Sequence, residues 1–145
     1  MKIVIQRVKK AHIRINNEIE RNISKGIVVL LGITHDDTKE KADFLVDKCV
    51  NLRIFNDEAG VMNKSLLDIN GDIMIVSQFT LYADANKGRR PSYLNAANAE
   101  KSIPIYDYFV DKVRKFNLNS ETGEFGADMQ ITLTNDGPVT IIVEK

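Results

Sequence analysis

Two stretches of the sequence, GIVVLLGIT at residues 26–34 and GDIMIV at 71–76, are apolar on both faces of an extended chain. A strand that meets water on one side alternates apolar and polar residues, because successive side chains point to opposite faces. These two do not alternate. Runs this short and this rich in Val and Ile read as strands buried from both sides, which requires a layered fold.

The rest of the chain supplies the other elements. Residues 2–8 and 11–15 read as strands, with Ile13 and Ile15 alternating against Arg14, and Asn16-Asn17 is a hairpin turn because Asn tolerates positive φ. Thr38 is placed to cap a helix whose stripe is Ala42, Leu45, Val46, Cys49 and Leu52. NDEAG (56–60) and Asn70-Gly71 are turn signals. The strand begun by GDIMIV is expected to run over about 72–83 and to lead into a polar, basic loop, ANKGRRPSY (85–93). A second helix is expected over 98–117, burying Ile105, Tyr108, Phe109, Val113 and Phe116. Pro104 points to a regular start only there, with Ser102 as the cap. Two or three strands should surround a turn at Asn135-Asp136-Gly137-Pro138. The expected architecture is α/β: one domain over residues 1–145, a layered, barrel-like mixed sheet with two main helices on one side, in the order β-β-(αβ)2-β-β.

Charge and cysteine content narrow the function classes. Twenty basic residues balance twenty acidic ones, so any contact with nucleic acid must be local. Cys49 is the single cysteine and excludes an internal disulfide, which favours a reduced, cytoplasmic setting. MKIVIQRVKK lacks the apolar region of a signal peptide, and no run approaches the roughly 20 apolar residues of a membrane span. His12 and His35 are the only histidines and have no partners at ligand spacing, so no metal is expected. His35 reads as solvated at a strand end, and Cys49 as packing. Phosphate-binding loops and a nucleophile elbow are absent.

Against that sparse background, SQFTLYAD at 77–84 stands out, because Ser77, Gln78 and Thr80 follow a core strand with no turn residue between. Two readings are open. The sheet emerges into solvent there, or the polar groups floor a pocket for a polar ligand, since each costs roughly 1–3 kcal/mol if buried without a partner. Gly137-Pro138 also has two readings: a hairpin turn, or rigid carbonyls aimed out of the end of the sheet by a residue that cannot donate to a ladder.

SQFTLYAD, KGRRPSY (87–93) and NDGPVT (135–140), with MKIVIQRV, LLGI, LRIF and EFGADMQ in order along the chain, resemble the D-aminoacyl-tRNA deacylase family. The SIPIYDYF run of the second helix departs from the family pattern, which bears on where that helix starts. The resemblance implies a cytoplasmic homodimer without metal or other cofactor. It cleaves the ester joining a D-amino acid, or glycine, to the terminal ribose of tRNA. It also implies that Ser77, Gln78, Phe79 and Thr80 line the pocket for the terminal adenosine and its aminoacyl ester. Gly137 and Pro138 match an element inserted into the partner's site to exclude L-side chains, and Arg7 the arginine that holds it. Phe125 and Met129 match positions near the pocket wall.

For the chemistry, the backbone N–H groups of Gln78 and Phe79 are candidate oxyanion donors, and Thr80 is the evident nucleophile by residue type. No histidine or lysine lies near Thr80 in sequence to deprotonate it, and the family resemblance implies that the ribose 2′-OH of the substrate assists while Thr80 positions. Lys87, Arg89 and Arg90 are candidate contacts to terminal phosphates of the tRNA. A non-catalytic dimer binding a tRNA end or small ligand, and an esterase of small acyl compounds, are the competing classes.

Overall fold

The computed structural model describes all of residues 1–145. Its longest early element is β1 (Lys2–Ile15), which turns through Asn16 and Asn17, at φ 49° and 60°, into β2 (Ile19–Ile23). Positive φ at both turn residues matches the right-handed twist of a hairpin. β3 (Gly26–Gly32) pairs antiparallel with the first half of β1, and β2 with the second half. Helix α1 (Lys39–Asn51) follows, then a short hairpin of β4 (Phe55–Asn56) and β5 (Met62–Lys64). β6 (Asp72–Ser77) returns parallel to β3, α2 (Ala99–Arg114) crosses over, and β7 (Ser120–Thr122) lies parallel to β6. β8 (Met129–Glu144) runs antiparallel along the whole of β1.

The path β2-β1-β3-β6-β7 nearly closes on itself. Across the remaining gap, Arg21 on β2 donates to the carbonyl of Thr122 on β7 and, at 2.9 Å, to its Oγ1. Two apolar cores result. Val8, Ala11, Ile13, Ile15, Ile23, Val28, Met74 and Val76 fill the barrel, while Ile27, Val29, Leu31, Ile73 and Ile75 face the other way, beneath both helices. The two unalternating runs are thus buried on both sides, and the mixed α/β, barrel-like fold with two helices on one face is as expected.

Several local expectations are corrected. Residues 2–8 and 11–15 belong to one strand, β2 and the β4–β5 hairpin are additional, and Asn135–Pro138 is no hairpin turn. Instead, β8 passes straight through those residues, and its register with β1 slips between Gln6 and Val8 and again between Val8 and Lys10. The irregularity has a purpose visible in the packing. Val8 and Ala11, three apart, both face the barrel, and on β8 Leu133 packs toward the barrel while Val139, six later, packs toward the helices. An extra residue reverses the alternation and lets one strand serve two cores.

In α2 the cap is Asn98, whose side chain accepts from the Lys101 N–H at 3.1 Å, not Ser102. Pro104 sits inside the helix but on its exposed side, where water can serve the carbonyl its ring leaves unpaired. The buried stripe is Ile105, Tyr106, Phe109, Val110 and Val113; Tyr108 is half-buried against Asp43, and Phe116, beyond the helix, is exposed. In α1, Thr38 holds the N-cap position without a side-chain cap bond, and Val50 rather than Leu52 completes the stripe. No helix is long and apolar enough to cross a membrane.

Candidate active site

β6 stops at Ser77, and Phe79–Tyr82 form a 3-10 turn instead of the expected continuation to residue 83. Leu81 N–H and Ala83 N–H close that turn on the carbonyls of Gln78 and Thr80, at 3.3 and 3.0 Å. Gly32, at the end of β3, permits the close approach: a Cβ there would lie 3.0 Å from Leu81 Cβ and 3.2 Å from the Gln78 carbonyl. The consequence is geometric. Val76, Ser77, Gln78 and Phe79, four consecutive residues, all line one cavity of about 350 Å³ where the strand gives way to the turn.

The opposite wall comes from the loop before β8. Phe125 and Met129 line the cavity with Gly126, Ala127 and Asp128. This loop is clipped to the β1–β2 hairpin, where Asn16 N–H donates to the Asp128 carbonyl at 2.9 Å and Asp128 N–H to Asn16 Oδ1 at 3.1 Å. Phe125 packs edge-on against Tyr106 of α2, with ring centroids 6.2 Å apart. Tyr106 in turn donates to the Ile75 carbonyl at 2.9 Å, and burial pushes its phenol up to about 12. Helix, strand and loop are therefore locked together around the cavity.

The expected residues separate into three groups. Ser77, Gln78, Phe79, Phe125 and Met129 meet in the cavity. Thr80 stands at its rim, exposed, its Oγ1 accepting from Gln78 Nε2. Gly137, Pro138 and Arg7 are elsewhere in this chain, beside the β1–β8 irregularity, and do not line the cavity. There the Gly137–Pro138 peptide is cis and both residues are exposed. Arg7, only 6% exposed, donates to the carbonyls of Ile54 at 2.6 Å and Asp136 at 3.2 Å. Asn135, which sequence reasoning passed over as a turn former, donates to the carbonyls of Arg7 and Val139 at 2.9 and 3.0 Å. These four bonds hold the Gly137–Pro138 segment outward.

Lys87, Arg89 and Arg90 are exposed on a loop tied at its base by paired hydrogen bonds between Asp84 and Ser92, both 2.8 Å. Within that loop's return, Tyr93 meets Phe79 edge to face at 5.2 Å, which brings the basic segment to the cavity mouth. His35 is not merely solvated: its Nε2 lies 2.8 Å from the Leu94 carbonyl. Ser102, expected as a cap, instead lines the cavity, its hydroxyl bonded to the Ala97 carbonyl at 3.2 Å. Only the α2 register places it there.

One chemical expectation changes. The Gln78 N–H is already spent on the Leu31 carbonyl at 2.8 Å. Phe79 and Thr80 instead head the 3-10 turn, where the first N–H groups have no partner within the turn. The lining contains no histidine, lysine or arginine, and Asp128 is its one ionisable side chain. No group of three or more His, Cys, Asp or Glu residues is arranged to hold a metal ion.

Comparison with known proteins settles the kinship, since the family described as D-Tyr-tRNA(Tyr) deacylase matches residues 4–144. The chain belongs to this deacylase family. It is 54% identical, over its full length and 97% of the relative, to the D-aminoacyl-tRNA deacylase of Thermosipho melanesiensis. It is 50% identical to that of a Geobacillus species, again over its full length and 95% of the relative. Among solved structures it is similar to a c-Myc DNA Unwinding Element Binding Protein, at 41% identity and TM-score 0.92, covering 100% of this chain and 99% of that one. A probable eukaryotic D-amino acid tRNA deacylase shares the fold, at TM-score 0.86 and 19% identity over 98% and 97% of the two chains. Family membership makes this deacylase-family chain a hydrolase of ester bonds, as expected from its motifs.

Proposed function

We propose that the protein hydrolyses the ester of D-aminoacyl-tRNA and of glycyl-tRNA, releasing amino acid and tRNA, and spares L-aminoacyl-tRNA. The observation that carries this reading is the cavity in which Ser77, Gln78 and Phe79 face Phe125 and Met129 without any histidine, lysine or arginine. Such a lining suits a substrate that brings its own reactivity. An aminoacyl ester is already activated, and the ribose 2′-OH beside it orients the attacking water. Water oxygen bonds to the acyl carbon, the carbon–ribose oxygen bond breaks, and the ribose oxygen takes up a proton. The leading N–H groups of the 3-10 turn, at Phe79 and Thr80, stabilise charge on the acyl oxygen, an effect worth about 3–4 kcal/mol per donor. Thr80 positions rather than attacks.

Chirality follows from exclusion by a rigid wall. Gly137 and Pro138, held outward by Arg7 and Asn135, serve the cavity of a second copy, so the working unit is a homodimer. An exposed, firmly held segment that does not line its own chain's site cavity supports this assignment. Lys87, Arg89 and Arg90 meet phosphates of the tRNA end, and the enzyme works in the cytoplasm. Glycine has no side chain to exclude and passes as a substrate.

The likeness to a protein named for binding a DNA element favours one competing reading, a non-catalytic dimer that binds a nucleic-acid end. Incubation with D-tyrosyl-tRNA and L-tyrosyl-tRNA, following ester loss, separates the readings. Cleavage of the D-ester alone is expected. No cleavage of either would leave the binder standing, and cleavage of both would indicate an unselective esterase.

A further inference from the structure

At the mouth of the cavity, three large apolar side chains stand open to solvent. Phe79 is 55% exposed, Tyr93 44% and Leu94 85%. The Phe79 and Tyr93 rings meet edge to face at an interplanar angle of 69°, and Leu94 is the next residue along the chain. They are also firmly mounted. Thr34 Oγ1 donates to the Asn95 carbonyl at 2.6 Å, Ala97 N–H to the Ile33 carbonyl at 3.0 Å, and His35 Nε2 lies 2.8 Å from the Leu94 carbonyl. Ordering two aromatic rings in water is unfavourable unless something covers them, and here the backbone is fastened to present them.

We propose that Phe79, Tyr93 and Leu94 seat the base of the nucleotide immediately 5′ to the terminal adenosine. The inference rests on the deacylase reading and extends it outward by one nucleotide. Two features select an unpaired nucleotide over other occupants. Phe79 lines the cavity as well as the platform, so the two sites are continuous. The loop that delivers Tyr93 also carries Lys87, Arg89 and Arg90, whose charge complements a phosphodiester. Stacking on an aromatic face does not depend on the hydrogen-bonding edge of a base, so the site tolerates any base there.

The test uses the D-tyrosyl esters of adenosine, of cytidylyl-(3′→5′)-adenosine, and of the same dinucleotide with an abasic first sugar. The wild-type protein should cleave the intact dinucleotide ester about tenfold more efficiently in kcat/KM than the adenosine ester, mainly through KM. The abasic dinucleotide should lose most of that advantage while keeping its phosphate. Tyr93→Ala should bring the dinucleotide-to-adenosine ratio close to one, and Tyr93→Phe should retain it. A wild-type ratio near one, or an abasic substrate as good as the intact one, overturns the proposal while leaving the deacylase reading in place. A change of oligomeric state in Tyr93→Ala, read by sedimentation, also overturns it, since the platform would then belong to a protein interface. Failure to cleave any of the three esters defeats the deacylase reading, and this proposal with it.

Discussion

Arg7 holds Asp136 twice through a single atom: its Nε lies 3.2 Å from both the backbone carbonyl and the carboxylate of that residue. Nη1 of the same guanidinium reaches across to the Ile54 carbonyl. One nearly buried cation thereby joins the β1–β8 irregularity to the segment after α1.

Arg7→Met should therefore loosen the outward segment. It removes the donor from the buried Ile54 contact and leaves Asp136 only the exposed Lys9, at 4.0 Å, at a cost of about 2–4 kcal/mol. The expected result is a lower thermal midpoint with weaker rejection of L-tyrosyl-tRNA. A midpoint unchanged within error would show that the guanidinium contributes little to holding the segment.

At Gly137, φ is +115°, and an added Cβ would stand 2.8 Å from Arg7 Nη2 and 3.0 Å from Val139 Cγ2. Gly137→Ala meets both a disfavoured backbone and a crowded space, with an expected cost of about 1–3 kcal/mol. Displaced carbonyls should raise cleavage of the L-ester relative to the D-ester. Equal selectivity in a destabilised variant would separate the segment from chiral choice.

Thr80 has one side-chain hydrogen bond, to Gln78, and no base beside it. Removing an activated hydroxyl nucleophile costs on the order of 10⁶ in kcat. Thr80→Ala should instead lose no more than about tenfold. Abolished turnover with tRNA affinity intact, or a trapped acyl-Thr80 adduct, would make Thr80 the nucleophile.

Burial raises the Cys49 thiol well above its ordinary value near 9. The folded protein keeps the proton that the unfolded chain gives up, so the stabilisation is complete below about pH 9 and is lost as pH rises beyond it. The urea midpoint should hold steady from about pH 7 to 8 and decline above about 9, and Cys49→Ala should make that decline shallower. Native protein should also resist thiol reagents until unfolded. Rapid labelling of the native state would contradict the packing role.

Much of the fold could be read from local pattern. Ile27–Leu31 and Ile73–Val76 declared two-sided burial, and Asn16-Asn17 announced its hairpin through the one property that positive φ demands. What failed were local details that depend on a neighbour. Ile19–Ile23 carries a polar sequence yet pairs with β1, because hydrogen bonding to an existing edge outweighs intrinsic preference. Asn135–Pro138 has turn residues, but two long strands already committed to pairing absorb them as an irregularity. Phe116 fits the helical period and is exposed because α2 ends at Arg114.

The candidate site divides along the same line. Residue type and order marked Ser77, Gln78 and Thr80, since polar groups ending a core strand need partners, whereas Phe79, Phe125 and Met129 were marked only by the family resemblance. Tertiary structure alone decided that Ser77, Gln78 and Phe79 line one cavity, that Ser102 joins them, and that the Gln78 N–H is already spent on β3. The physical reason is that a side chain's direction near a strand end is set by what packs beneath it. Here that is Gly32, whose missing Cβ lets the chain curl into a 3-10 turn.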